Sequence, residues 1–188
     1  VTEVWGQVPE EKKESTRLLF TAHSVPVAHD NVGGAEGDKN LYSRQVAEAS
    51  RLVAARAGIS DYDLVWQSRS GNPRTPWLEP DIVDHTTDIH HNEGIDTVVV
   101  CPIGFISDHM EVIWDLDSEL QKAADEMGVK VLRTRTAGPT PRFAEMVVDL
   151  IDELEQGREW ETTGSVTVQG CTVNGAPCAE GCCDIWSR

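Results

Sequence analysis

The sequence predicts an α/β protein built on an open four-stranded parallel sheet with helices on both faces. Strand-like and helix-like segments alternate through most of the 188 residues, and such alternation is typical of a parallel sheet covered by helices. From Gly157 onward the periodicity stops and Gly, Thr and Cys predominate. We therefore expect a lead-in over 1–15, an α/β domain over 16–156 and an irregular Cys-rich extension over 157–188.

The first half of the chain predicts two strands and two helices. An apolar run from Leu18 to Phe20 predicts a strand that ends near Ala22. Apolar residues then recur at helical spacing over 40–58, and the terminal glycine ends that helix. The segment "YDLVWQS" predicts a second strand. A loop rich in Gly and Pro follows over 71–81, before a weaker helix over 81–94.

The second half predicts two more strands and two more helices. The run "VVVC", 98–101, is the clearest strand, because continuous β-branched residues suit a parallel strand buried on both faces. A strong helix follows over 107–128, with Ser107 or Asp108 as its cap. Its expected core stripe consists of Ile113, Leu116, Leu120, Ala123 and Met127.

The segment "VKVLRTR", 129–135, predicts the fourth strand, and 140–157 predicts the last helix. Apolar residues on one face of that helix are expected to pack inward on the sheet. They are Phe143, Val147, Leu150, Ile151 and Leu154.

Charge and composition exclude several classes of function. The net charge is −16, so the surface should repel nucleic acid and anionic lipid and attract cations. No apolar run approaches the ~20 residues of a membrane span, and the first residues do not resemble a signal peptide. We therefore expect a cytoplasmic protein. The chain starts at Val1 without Met, which indicates a piece of a longer chain.

The expected sheet brings polar residues together at one edge, because ligands of open parallel sheets bind at the carboxyl ends of the strands. The candidates are His23 and Ser24 after the first strand, Gln67, Ser68, Arg69 and Ser70 after the second, Gly104, Ser107, Asp108, His109 and Glu111 after the third, and Arg135 and Thr136 after the fourth. Residues far apart in sequence thus converge on one rim.

A row of carboxylates leaves this rim along the third helix. Glu111, Asp115 and Glu119 have i, i+4 and i+8 spacing, and like charges at i,i+4 cost a few tenths of a kcal/mol per pair. A cation that moves along the row would offset that cost, and the imidazoles of His109 and His23 suit iron. The alternatives are an acidic face solvated by water and a His23 that only hydrogen-bonds a loop.

Three segments resemble the signature segments of the ferrochelatase family. They are "FTAHSVP", "LVWQSRSG…PWLEPD" and "PIGFISDHMEVIWDLD", in the family's order and at its spacing. The resemblance covers about residues 16–156 and corresponds to the family's C-terminal half. It implies a chelatase-like, Rossmann-like half and an enzyme that inserts Fe²⁺ into a porphyrin.

The resemblance also implies roles for individual residues. His23 is implied as the pocket histidine, which either binds the metal or accepts pyrrole protons, and Glu111 as the carboxylate opposite it. His109, Asp115 and Glu119 are implied as a path for metal or protons. The segments that shape the porphyrin cleft contain Trp66, Ser68, Arg69 and Trp77.

Four of the five cysteines crowd the end of the chain, at Cys171, Cys178, Cys182 and Cys183. Thiolates at this density indicate an iron–sulfur or zinc site in a reducing compartment. The resemblance to actinobacterial ferrochelatases implies a [2Fe–2S] cluster, with zinc or free thiols as alternatives. The choice between Cys182 and Cys183 stays open. Cys101, in a strand, is expected to pack in the core.

Only the second of the family's two similar α/β domains is present. The first normally supplies much of the porphyrin cleft and the fourth cluster cysteine, so this chain alone is expected to be incomplete and to depend on a partner domain. Actinobacterial resemblance favours coproporphyrin III over protoporphyrin IX. The alternatives are a cobalt chelatase, which would lack the "QSRSG…PWLEPD" loop, and a non-catalytic haem or iron–sulfur binding module.

Overall fold

A parallel sheet of four strands forms the centre of the protein. The structure, a computed structural model, describes residues 1–33, 39–138, 140–159, 161 and 163–166. The strands are β1 (Thr16–His23), β2 (Tyr62–Gln67), β3 (Thr97–Cys101) and β4 (Lys130–Arg133). Their order is β2-β1-β3-β4, and every neighbouring pair is parallel. The predicted α/β fold is confirmed, while most of the Cys-rich extension lies outside the described residues.

Helices connect and flank the strands. They are α1 (Thr2–Trp5), α2 (Val27–Val32), α3 (Leu41–Ala57), α4 (Ile82–Glu93), α5 (Met110–Val112), α6 (Gln121–Met127) and α7 (Pro141–Gln156), with a 3₁₀ segment at Glu10–Ser15. A π-helical segment, Ile113–Leu120, joins α5 to α6 without a break. We call residues 110–127 the composite helix.

Alternation along the strands builds one core on each face of the sheet. Leu19 points toward α4 and the composite helix, in a cluster that includes Val98. Its neighbours Leu18 and Phe20 point to the opposite face, where α3 and the amino-terminal segment pack. This two-residue period is the consequence of the pleat, and it confirms that helices cover both faces.

The composite helix differs from its prediction in two respects. His109, not Ser107 or Asp108, occupies the N-cap, and no side chain there makes a capping hydrogen bond. The buried positions repeat every four residues, at Val112, Leu116, Leu120 and Ala124. Ile113 is therefore not a core residue and is 43% exposed. The wider i→i+5 turn of the π-helical segment explains the longer repeat.

The last helix, α7, also departs from its prediction. Its apolar residues were expected to pack on the sheet, but Leu150 is 51% exposed and Leu154 is 70% exposed. The reason is that α3 already covers one sheet face, while α4 and the composite helix cover the other. The helix itself is well defined by its ends, with Thr140 as a side-chain N-cap to Phe143 N.

Within the described part of the chain, no helix combines the length and the apolar composition needed to span a membrane.

Candidate active site

The strand order places a topological switch point at the carboxyl ends of β1 and β3, and we call the region between His23 and the loop after β3 the crevice. The chain moves from β1 to β2 on one side and then crosses to β3 on the other side of β1. Open α/β sheets bind ligands at such a switch point. His23 ends β1 and Gln67 ends β2, while the loop after β3 leads to Glu111 on α5. The topology thus gathers residues from three separate segments.

A glycine brings the loop after β3 onto the end of β1. Gly104 N donates a hydrogen bond to Thr21 O at 3.2 Å. A Cβ at Gly104 would lie 2.5 Å from the Cβ of Ala22 and 2.8 Å from its Cα, so only glycine permits this approach. The contact fixes the loop beside His23, the next residue after Ala22.

Backbone contacts fix the orientation of the His23 imidazole. Its Nδ1 lies against the carbonyl oxygen of Ser24, and a carbonyl can only accept, so Nδ1 carries the proton. The Tyr42 hydroxyl donates to His23 O at 2.7 Å and holds the backbone at the strand end. Nε2 consequently faces the crevice as the nitrogen able to accept a proton or bind a metal.

Glu111 faces that nitrogen across the crevice. Its Oε1 lies 3.3 Å from His23 Nε2. The Glu111 side chain is 45% exposed and the His23 side chain is 37% exposed. This contact is therefore open to an incoming ligand. The structure thus brings together the histidine of β1 and the first acid of the composite helix.

Asp115, one helical turn farther on, is held by the end of β2. Its Oδ2 accepts a hydrogen bond from Gln67 Nε2 at 3.1 Å and another from the Ser68 hydroxyl. The Gln67 amide oxygen in turn accepts from Thr21 Oγ1 at 3.1 Å. Ser68 has a φ of 64°, a left-handed conformation that is costly for a residue with a side chain and that occurs here at a carboxylate contact.

The acidic row continues into a cavity of about 240 Å³ between β2, α4 and the composite helix. Its lining consists of Gln67, Ser68, Arg69, Asp81, Ile82, Val83, Asp84, Asp115 and Glu119. Burial raises the pKa of Asp81, although its carboxylate also caps α4 by accepting from the amides of Val83 and Asp84. Four carboxyl groups therefore share one small polar cavity.

The residues implied for porphyrin binding differ in how far their side chains are buried. Trp66 is 4% exposed and packs in the core with Ala22 and Val46. Trp77 is half-buried and bridges to Pro26, because the loop pairs with the segment that follows His23. Among the residues that the structure describes, no acceptor reaches the buried Trp77 Nε1–H.

Ser24 is buried and donates to Leu78 O at 2.9 Å, whereas most of the other predicted rim residues are exposed or engaged in ion pairs. Arg69 lies at the cavity and is 3.6 Å from Glu79. The His109 ring packs edge-on against Phe105, with centroids 5.4 Å apart. Asp108 pairs with Arg133 at 2.9 Å, which explains why it does not cap the helix.

Apolar side chains are exposed beside the crevice where the composite helix begins. Ile106, Met110 and Trp114 are all more than half exposed. Exposed apolar groups grouped near polar ones are typical of a surface that receives a ligand or a partner. They flank Glu111 in sequence and would meet any large flat molecule that entered from this side.

Some residues of the site were missed by sequence reasoning. Asp81 and Asp84 had a signal, since an aspartate before an apolar helical pattern predicts a cap at the sheet edge. Gln67 was recognised only as a rim residue. Tyr42 and Thr21 had no signal, because their roles depend on contacts between separate elements.

The described residues contain no group of three or more His, Cys, Asp or Glu side chains arranged to hold a metal ion. The pair of His23 and Glu111 could supply two ligands and leave other positions for a substrate. The cysteines predicted as cluster ligands, at 171, 178, 182 and 183, lie outside the described residues. Cys101 is a free, half-buried thiol, and burial raises its pKa.

Comparisons with known proteins agree with the resemblance of the three segments. The family model described as Ferrochelatase matches residues 1–155. Proteins named coproporphyrin III ferrochelatase are similar over most of the chain: 55% identity to that of Corynebacterium glutamicum strain R, over 97% of this chain and 49% of the relative. The relative from Nocardia farcinica is 53% identical over 94% of this chain and 50% of the relative. The relative from Mycolicibacterium smegmatis is 49% identical over 97% of this chain and 53% of the relative.

These matches extend along nearly the whole chain and include every element of the crevice. The chain spans about half the length of the curated relatives it matches. The identity is far above what a shared fold alone would require. The chain belongs to the ferrochelatase family.

Proposed function

We propose that this chain is the iron-inserting half of a ferrochelatase and that its porphyrin is coproporphyrin III. The observation that carries the proposal is the approach of His23 Nε2 to Glu111 Oε1, 3.3 Å apart, at the switch point of a parallel sheet. The names of the relatives support the choice of porphyrin. Such a protein would act in haem biosynthesis, in the cytoplasm.

The reaction needs bases beside the ring. A porphyrin loses two pyrrole N–H protons as one Fe²⁺ enters, so two protons must leave for each haem formed. His23 can accept a proton at Nε2 because Nδ1 is engaged by Ser24. Glu111 can accept the second, or the two side chains can hold the ion before it enters the ring.

The acidic row supports a route for Fe²⁺ toward this pair. Asp115 lies between the crevice and the 240 Å³ cavity that Glu119 lines. Carboxylates attract a hydrated divalent ion, and the net charge of −16 strengthens that attraction. In this proposal the ion moves from Glu119 to Asp115 and then to Glu111, with His109 at the end of the row that lies next to Glu111.

The porphyrin would lie over the crevice. Trp77 offers an aromatic wall, and Arg69 is placed to pair with a propionate. Ser68 borders the crevice through its contact with Asp115. Trp66 would not contact the porphyrin directly. Its buried side chain packs on Ala22 and would support the end of β1 beneath the crevice. Strain imposed on the ring by such a cleft would expose the nitrogen lone pairs to the metal.

We propose that the extension carries a [2Fe–2S] cluster. Cysteine thiolates are the usual ligands of such a cluster. Four cysteines fall within 13 positions here, from Cys171 to Cys183. Three or all four would ligate iron, and a cysteine from elsewhere would complete a set of three. When bound, the cluster supplies an electron-transfer or structural centre outside the insertion site.

Iron insertion can be measured directly from the change in porphyrin absorption under anaerobic conditions. We expect the chain joined to the complementary half of the Corynebacterium glutamicum relative to convert coproporphyrin III and Fe²⁺ to the metallated product. His23→Ala should lower the rate at least about 100-fold, the usual contribution of a general base. The matched control is His91→Ala, which changes an exposed histidine at the end of α4.

An unchanged rate in His23→Ala would sink the proposed chemistry. Porphyrin binding without insertion, in the joined protein, would instead support the second candidate function, a binding half without catalysis. The short length relative to the relatives is the observation that favours this second candidate.

The cluster has its own test. The purified chain should show the visible absorption of a [2Fe–2S] centre, and Cys178→Ser should abolish it, whereas Cys101→Ser should not. Zinc in a metal analysis, or bands that survive Cys178→Ser, would contradict the assignment.

A further inference from the structure

One arginine fastens the composite helix to the last strand of the sheet. Arg133 Nε donates to Asp117 Oδ1 at 2.6 Å, and its Nη2 donates to Asp117 Oδ2 at 3.0 Å. The third nitrogen, Nη1, donates to Asp108 Oδ1 at 2.9 Å. A planar guanidinium that meets both oxygens of one carboxylate forms a pair of defined geometry. Arg133 thus holds the chain just before the helix and the middle of the helix at once.

The guanidinium is itself firmly placed. Arg133 is the last residue of β4 and lies opposite Val100 of β3, and the next amide, Thr134 N, donates to Val100 O at 2.8 Å. The Arg133 side chain is only 20% exposed. Burial opposes its charge, but the hydrogen bonds to Asp117 and Asp108 outweigh burial and raise the pKa of Arg133. The helix is therefore attached to a charged group on a rigid element.

The other edge of the sheet holds the helix as well. Asp115 accepts hydrogen bonds from Gln67 Nε2 and from the Ser68 hydroxyl, at the end of β2. The strand order β2-β1-β3-β4 makes β2 and β4 the two outer strands. Asp115 and Asp117 are thus attached to opposite edges of the sheet. Two opposed attachments so close together on the helix resist its rotation about its own axis.

The first turn of the helix depends on these attachments. No side chain caps it at His109, and of α5 only Val112 is buried, while Met110 is 78% exposed. Glu111 lies in this turn, with Oε1 3.3 Å from His23 Nε2. Catalytic geometry is sensitive to small shifts, because a misplacement of about 1 Å can cost about 100-fold in rate. A loosened helix start would therefore act directly on this pair.

We propose that Arg133 is a positioning residue for iron insertion, which keeps Glu111 opposite His23 by attaching the composite helix to β4. Arg133 contacts neither the ion nor the porphyrin and acts through Asp108 and Asp117. This role rests on the proposed function, since it belongs to the same reaction. It differs from a role in stability alone, because it requires a change in the turnover number of the folded protein.

Steady-state kinetics separate positioning from binding, in this chain joined to the complementary half of the Corynebacterium glutamicum relative. Arg133→Lys keeps the positive charge but loses the forked contact. It should lower kcat for insertion of Fe²⁺ into coproporphyrin III at least about tenfold, while the KM for coproporphyrin III stays within about twofold. Asp117→Asn weakens the same contact from the side of the helix and should have the same effect, although its arginine is unaltered.

Arg51→Lys is the matched control. Arg51 makes the same forked contact with Glu48 on α3, at 2.7 and 2.9 Å, and its replacement should change kcat by less than about twofold. Equal losses of kcat in Arg133→Lys and Arg51→Lys would overturn the proposal. So would an unchanged kcat in Arg133→Lys, or a fall in kcat that only matches the unfolded fraction measured by circular dichroism.

Hydrogen exchange gives a readout that needs no catalysis. The amide of Ile113 donates to His109 O at 3.1 Å and closes the first turn. In the 188-residue chain it should exchange at least about tenfold faster in Arg133→Lys and at an unchanged rate in Arg51→Lys. Unchanged exchange in Arg133→Lys would overturn the proposal. Failure of the unmodified joined protein to insert iron would refute the proposed function instead, and the exchange rates would still decide whether Arg133 holds the first turn.

Discussion

Gln67 shows how one buried side chain can organise this site. Its amide oxygen accepts from Thr21 and its amide nitrogen donates to Asp115. Because the Asp115 carboxylate can only accept, the NH₂ group of the amide points at it and the amide oxygen is left to accept from the Thr21 hydroxyl. Gln67 is thus a positioning residue, which acts on the proposed iron route through Asp115.

We expect Gln67→Leu to raise the KM for Fe²⁺ about tenfold in the joined protein, because Asp115 loses one of its two donors. The KM for coproporphyrin III should stay within about twofold. Steady-state kinetics with each substrate varied in turn measures both. The control Thr21→Val removes only the outer hydrogen bond and should have a smaller effect; equal changes in both KM values would argue for general damage to the fold.

A second polar network lies at the opposite end of the sheet. Asp63 on β2 receives Arg17 Nη1 at 2.9 Å and contacts His85 Nε2, also at 2.9 Å. Burial opposes ionisation of Asp63, but the contacts with His85 and Arg17 outweigh it, so its pKa is lowered below the usual 3.8. This network is remote from the crevice and should affect stability alone.

Asp63→Asn should reduce the free energy of unfolding by about 1 to 3 kcal/mol at pH 7. Because the folded pKa is depressed, this contribution is present above about pH 4 and is lost as the pH falls through the folded pKa. Denaturant unfolding from pH 7 down to pH 3 should show the two proteins converging. Asp61→Asn is the control, since this exposed partner of Arg17 should contribute less than about 1 kcal/mol; a constant difference at all pH values would contradict the assignment.

At the scale of elements, the π-helical segment determines what the composite helix presents to each side. Its wider turn buries a four-residue repeat on the sheet. The same spacing carries the three acids, so Glu111 meets His23 while Asp115 meets Gln67. The same π-helical turns thus place the buried residues on the side of the sheet and the acids on the side of the crevice. Such segments occur frequently at functional sites.

Two leucine-sized side chains test this geometry. Leu116→Ala should lower the free energy of unfolding by about 2 to 5 kcal/mol, because Leu116 is fully buried. Ile113→Ala, at a position that α-helical spacing would bury, should cost less than about 1 kcal/mol. Denaturant unfolding of both variants decides the matter, and a larger cost for Ile113→Ala would contradict the observed repeat.

The approach of the β3 loop to β1 gives a second prediction for an element. Gly104→Ala should destabilise the protein by about 1 to 3 kcal/mol, because the new Cβ overlaps Ala22 and the loop must move. It should also separate Glu111 from His23 and reduce iron insertion. Gly6→Ala is the control, since its Cβ would meet the carbonyl oxygens of Thr2 at 3.2 Å and of Glu3 at 3.6 Å; equal stability of both variants would show that the loop adapts.

At the scale of the whole molecule, the chain spans about half the length of the curated relatives it matches. It has a core on each face of the sheet, yet Leu150 and Leu154 of α7 and Ile106 beside the crevice are exposed. Under the proposed function, the other half of a ferrochelatase completes the cleft by binding the folded chain. The stability of the chain should therefore depend on the concentration of that half.

Adding the complementary half of the Corynebacterium glutamicum relative should raise the melting temperature of this chain. Binding to the folded state alone stabilises it by about 2.7 kcal/mol at 100 times the dissociation constant. Differential scanning fluorimetry over a concentration series measures the shift. A shift that is independent of the concentration of the added half would contradict binding between the two proteins.

Much of the fold could be predicted because its signals are local. The apolar run of β3 and the periodicity of α3 depend on neighbouring residues, and both elements were found where the pattern indicated. Ile113 and Leu154 could not be placed in the same way. Periodicity shows that a helix has an apolar face, but not whether the turn widens or which element is free to cover that face.

The sequence by itself determined the order of strands and helices, the family, and the rim to which His23, Ser68 and Glu111 belong, because pleat, helical period and strand direction are properties of the chain alone. Only the tertiary structure decided that Nε2 of His23 faces Glu111, that Gln67 holds Asp115, and that apolar side chains of α7 such as Leu150 and Leu154 are exposed. Each of these depends on the approach of segments distant in sequence, and that approach is set by packing across the whole domain.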